Sequence, residues 1–141
     1  MISHPSTVTV FVRDQDAALA FYTDKLGFEV RRDDPFNQNS RWLEVAAPGA
    51  QTGIVLDNGF DRFDESRVGG FGRIFWTTDD MAATHATLSA RGVEFSQAPV
   101  LMPWGMWQAE FLDQDGNSFV LVQQVAGTDV GGDVAAAAIS E

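Results

Sequence analysis

The chain predicts an α+β fold made of two βαβββ modules that together curl into a cupped mixed sheet. Three observations carry this. Short alternating β-branched and apolar runs follow one another, each half of the chain holds one helix-length stripe bounded by an Asp and a Gly, and the second half repeats the order of the first.

In the first half, Thr7-Val-Thr-Val-Phe-Val12 reads as a strand, and Asp14 caps a helix whose positive first turn carries Asp16. Ala18, Phe21, Tyr22 and Leu26 recur at helical spacing, and Gly27 stands where a left-handed C-terminal cap belongs. Phe28 to Arg32 reads as a strand and Asp33 to Asn39 as a polar loop containing Pro35. Arg41 to Ala46 and Thr52 to Asp57 form a hairpin across the turn-rich Ala47-Pro48-Gly49-Ala50.

The second half begins with a strand at Arg73-Ile-Phe-Trp-Thr77. Asp79 or Asp80 caps a helix with Met81, His85 and Leu88 on one stripe, and Gly92 ends it. Val93 to Ser96 starts a strand, a loop holds Pro99 and Pro103, and strands follow at Met106 to Leu112 and Ser118 to Gln124 around the turn Asp113-Gln-Asp-Gly-Asn117. Laying Gly27 on Gly92 also matches Asp14 with Asp79, Ala17 with Ala82, Ala18 with Ala83 and Glu29 with Glu94, all at structural punctuation. Module one is expected at about residues 5–58, a connector at 59–70 and module two at about 71–126, making one domain over 1–126. The tail 127–141 lacks bulky anchors and reads as loosely ordered.

Composition narrows the partners. Twenty Asp and Glu against nine Lys and Arg give a net charge of -11, which repels nucleic acid and anionic membrane surfaces. With no Cys there is no disulfide, thiolate metal site or cysteine nucleophile. Met1 to Val10 lacks the basic and apolar regions of a signal peptide, and no run approaches the ~20 apolar residues of a membrane span. A cytoplasmic location is the expectation. No G-x-S-x-G elbow is present, and Gly69-Gly-Phe-Gly72 leads into a strand rather than the helix a phosphate loop needs.

Val12-Arg-Asp14 before Phe21-Tyr22, then Leu26-Gly27-Phe28, and Asp113-Gln-Asp-Gly-Asn117 near the end resemble the vicinal oxygen chelate superfamily: glyoxalase I, bleomycin-resistance proteins, extradiol dioxygenases and fosfomycin-resistance enzymes. The resemblance covers Thr7 to Gln124. It implies that each module makes half of a cupped sheet around a pocket, often completed by a second subunit, so a homodimer is expected. One such fold hosts many chemistries.

In metal-dependent members, His or Glu at four strand positions hold one divalent ion. By the resemblance those positions are Thr7, Glu44, Arg73 and Val120, of which only Glu44 is a ligand type. A fixed cation at Arg73 opposes a metal, and neither His4, by strand parity, nor His85, on the helix stripe, replaces it. The expectation is therefore no metal and no cofactor. Glu44 and Arg73 are weak catalytic candidates. Their pairing is either a structural ion pair in place of the metal or functional, as a polar anchor that orients a ligand or with Glu44 as a base on an acidic C–H or O–H.

Strand parity lines the cup with Thr7, Thr9, Phe11, Trp42 and Glu44 from module one. Arg73, Phe75, Thr77, Ser118, Val120 and Val122 come from module two. Phe36 and the segment Val100 to Trp107, with Met102, Trp104, Met106 and Trp107, are expected to add an aromatic and thioether wall. The function expected is binding of a small aromatic or cationic molecule without turnover, as in bleomycin resistance. The alternatives are a metal-independent isomerase, cyclase or lyase using Glu44 and Arg73, or a glyoxalase- or dioxygenase-type metalloenzyme with displaced ligands.

Overall fold

The structure, a computed structural model, describes residues 1–124; the tail expected at 127–141 lies outside the described residues. The chain divides into two compact units. One is Met1–Gly72 together with Asp113–Asn117, and the other is Arg73–Leu112 with the strand that starts at Ser118.

In the first unit, β1 (Thr7–Phe11), β2 (Glu29–Pro35), β3 (Arg41–Ala46) and β4 (Gly53–Asp57) form one sheet in the order β1-β4-β3-β2. β1 runs parallel to β4, and β3 is antiparallel to both β4 and β2. In the second, β5 (Phe71–Thr77), β6 (Glu94–Leu101), β7 (Met106–Leu112) and β8 (Ser118–Gln124) are ordered β5-β8-β7-β6. The two orders are the same permutation, so the repeat is one of topology, with Gly27 matching Gly92 as expected but Asp14 matching the cap Asp80 rather than Asp79.

The helices begin and end as their punctuation requires. Asp14 accepts from the Asp16 and Ala17 amides ahead of α1 (Gln15–Ala20), and Asp80 accepts from the Ala83 amide ahead of α2 (Met81–Ala90). α1 runs on into a π-helical turn, Phe21–Lys25. Gly27 and Gly92 take φ of 77° and 87°, the left-handed cap that glycine adopts without strain. Ala18, Tyr22, Leu43, Val45 and Leu56 are fully buried in the first unit, and Met81, Phe111, Phe119 and Leu121 are buried in the second. Each large side chain of this kind contributes about 1.5–3 kcal/mol.

The opening parts of two expected loops prove to be strand. β2 continues through Asp33 and Asp34 to Pro35, and β6 continues through Pro99 to Leu101. Both are edge strands in their sheets, where a proline's missing N–H breaks no central ladder. β6 also shifts register around Gln97, as a bulged edge does. No helix among the described residues is long and apolar enough to cross a membrane.

Candidate functional site

On sheet one, strand alternation sends Val10, Leu43, Val45, Ile54 and Leu56 into the core and turns the intervening residues to the opposite face. Register then aligns Thr9, Val55, Glu44 and Arg32 as one row across four strands, with Thr7 beside Gly53. Trp42 Nε1 donates to Glu44 Oε1 at 3.3 Å. The Glu44 carboxylate lies over Gly53, where any Cβ would overlap it, so glycine there makes the room.

The aromatic part of this face is built largely by the connector. Asp57, 3% exposed, accepts from the Gly59 and Phe60 amides at 2.8 Å each, and this turn delivers Phe60 onto the sheet. The Phe60 ring stacks on Trp42 with centroids 5.7 Å apart and planes at 9°, and lies 4.2 Å from Phe36. Phe63 meets Phe11 edge-on at 5.3 Å, and the Arg67 guanidinium sits 5.9 Å from the Phe11 centroid. Arg67 is placed by a helical turn, Glu65–Arg67, capped by Asp64. The Ser66 hydroxyl and amide that bond to Asp64 hold its carboxyl below the usual range.

Between these rings lies a cleft of about 410 Å³ lined by Thr9, Phe11, Phe36 and Phe60. Asp57 and Asp61 supply acids at its wall and Arg62 and Arg67 supply bases. Of the residues expected from sequence, Thr9, Phe11 and Phe36 line it, and Trp42 backs it through Phe60. The sequence reading missed Phe60, Phe63, Arg62 and Arg67 because it treated residues 59–70 as a plain connector. The available signal was two Phe inside an otherwise charged and turn-forming stretch.

On sheet two, Phe71, Arg73, Phe75 and Thr77 are exposed while Ile74 and Trp76 are half-buried. Trp76 meets Phe119 edge-on at 6.1 Å, so Arg73 and Phe75 occupy the other side of β5. Val120 pairs with Glu110 and faces away from Phe119. Arg73 has φ of 62°, a left-handed backbone that a residue with a Cβ adopts at a cost of roughly 1–2 kcal/mol.

Met102 and Trp104 belong to a tight hairpin turn, closed by the Gly105 amide on the Met102 carbonyl at 3.0 Å. Trp107 departs from expectation. It pairs with Gln123, whose side chain accepts from the Met81 amide, so Trp107 stands on the α2 side of its sheet rather than on Val120's face. The period-two rule decides this, because Trp107 lies three residues from Glu110, Val120's partner, and so on the opposite face of the same strand.

The four positions that would hold a metal offer a hydroxyl (Thr7), one carboxylate (Glu44), a guanidinium (Arg73) and a hydrocarbon (Val120). That donor set does not fit a divalent cation. Among the described residues no three His, Asp or Glu come together as ligands. What the geometry offers instead is a flat stacking surface beside a cleft of mixed charge.

Residues 4–121 match the family described as the Glyoxalase/Bleomycin resistance protein/Dioxygenase superfamily. YetH, an uncharacterized protein of Bacillus subtilis, is 36% identical over 86% of this chain and 98% of its own length. A superfamily member from Sphaerobacter thermophilus is 39% identical with a TM-score of 0.79, covering 87% of this chain and 98% of the other. TnmS3, an antibiotic binding protein from a Streptomyces species, is 38% identical with a TM-score of 0.75, covering 87% and 97%. The chain belongs to the Glyoxalase/Bleomycin resistance protein/Dioxygenase superfamily.

Proposed function

We propose that this protein binds a small planar aromatic molecule and holds it unchanged, without a metal or cofactor, as a cytoplasmic homodimer. The observation that carries the reading is the Trp42–Phe60–Phe36 stack beside the 410 Å³ cleft. Aromatic walls of this kind favour a flat ligand through area burial and offset stacking. The similarity to TnmS3, an antibiotic binding protein, supports binding of a small organic molecule. Thr7 and Glu44, on the same unit, remain assigned to ligand contact in this proposal, with Arg62 and Arg67 added from the cleft.

The test is titration of the protein with a panel of planar aromatic antibiotics, followed by Trp fluorescence, with mass spectrometry of the recovered ligand. Saturable binding, unchanged ligand and an affinity at least tenfold weaker in Phe60→Ala are expected. Consumption of the ligand that stops in Glu44→Gln, with binding retained, would establish the isomerase or lyase reading instead.

A further inference from the structure

A second pocket, of about 350 Å³, lies wholly within the second unit on the α2 side of its sheet. We propose that it is a binding site for a compact organic cation, an ammonium group carried on a small hydrocarbon skeleton. Its apolar surface comes from Trp107, which is 37% exposed, from Met81, which is 2% exposed, and from Pro99 on the edge strand. His85 adds a ring that is fixed in place, since it meets Phe95 edge-on at 4.5 Å.

The polar groups select the charge of the ligand. Gln123 is clamped at both ends: its Oε1 accepts from the Met81 amide at 2.6 Å and its Nε2 donates to the Asp79 carbonyl at 2.8 Å. Asp80 Oδ1 accepts from the Ala83 amide at 3.0 Å, while its Oδ2 accepts nothing among the described residues. Two amides of the first turn of α2 are thus already engaged, and among the described residues no Lys or Arg lines the pocket, so an anion would find little to hold it. A cation would find the Trp107 indole and the Asp80 carboxylate lining the pocket, in a protein of net charge -11. These residues are separate from those of the cleft on sheet one, so the proposal does not depend on the function proposed for that cleft.

The experiment titrates the full chain with choline and, in parallel, with 3,3-dimethylbutan-1-ol, its uncharged isostere. The Trp107 indole and His85 ring signals are followed by NMR. Saturable shifts at both rings are expected with choline, with the isostere at least tenfold weaker. Asp80→Asn, which keeps a good helix cap, should weaken choline several-fold, and Trp107→Leu should abolish the shifts. Phe60→Ala should leave choline binding unchanged. Equal binding of the isostere, an unaffected Asp80→Asn variant or the absence of saturable shifts would each overturn the proposal.

Discussion

The Tyr22 hydroxyl donates a 2.7 Å hydrogen bond to Asp113 Oδ2, joining the first helical segment to a turn 91 residues away. Asn117 Nδ2 donates to the same oxygen at 2.9 Å and to the Phe11 carbonyl at 3.0 Å, while Asn117 Oδ1 accepts from the Gly69 amide at 2.8 Å. Asp115 accepts from the Arg13 amide and pairs with its guanidinium at 3.5 Å. The turn Asp113–Asn117 is therefore part of the first unit, although the strands on either side of it, β7 and β8, belong to the second sheet.

Removing the Tyr22 hydroxyl leaves a buried carboxylate oxygen short of one donor. Tyr22→Phe is expected to lower unfolding free energy by about 1–3 kcal/mol, read from the midpoint of urea denaturation. An unchanged midpoint would mean that the Asn117 amide satisfies Asp113 by itself.

Burial raises the Asp113 carboxyl above its ordinary 3.8, although hydrogen bonds from Asn117, Tyr22 and the Asp115 and Asn117 amides pull it down. The native state thus holds the Asp113 proton more tightly than the unfolded chain does. Its contribution to stability is full below 3.8 and is lost as pH rises through the raised value. Asp113→Asn cannot titrate, so the advantage of the parent protein over this variant should shrink from about pH 4 upward and then level off. Urea melts of both proteins at stepped pH measure it. An advantage that grows with pH would show that the hydrogen bonds outweigh burial.

Arg73 holds a left-handed backbone in β5, and glycine takes that conformation freely. After allowing for the extra freedom of glycine in the unfolded chain, Arg73→Gly is expected to stabilise by about 0.5–1 kcal/mol. Calorimetry should show a higher Tm. An unchanged or lower Tm would mean that contacts of the Arg73 side chain outweigh the backbone strain.

Gly53→Ala places a methyl group where the Glu44 carboxylate lies. The flexible carboxylate should swing away, breaking the Trp42 Nε1–Glu44 Oε1 hydrogen bond with a stability loss of about 0.5–1.5 kcal/mol. The indole would then lose its carboxylate acceptor, so a shifted Trp emission is the expected readout. Identical emission spectra in the two proteins would show that Glu44 is not displaced.

Most secondary elements, the internal repeat and the helix caps were legible in the sequence, as were Phe11, Phe36 and Trp42 as facing aromatics, because each is written in local physics. Alternation turns side chains to one face or the other, Asp14 and Asp80 cap because their carboxylates reach amides two or three residues ahead, and Gly27 and Gly92 turn left-handed because nothing else does so freely. Tertiary structure decided what those signals do not encode. Pro35 and Pro99 lie in strands because their strands are at sheet edges, and edge position depends on which strands pair. Trp107 faces α2 because its register with Gln123 was settled by the sheet, and Phe60 joins Trp42 because the Asp57 turn folds the connector back. Asp113 finds Tyr22 only when the whole intervening chain has packed. Periodicity and capping report on neighbours within a few residues, whereas a binding surface is made by residues that only the packed chain brings together.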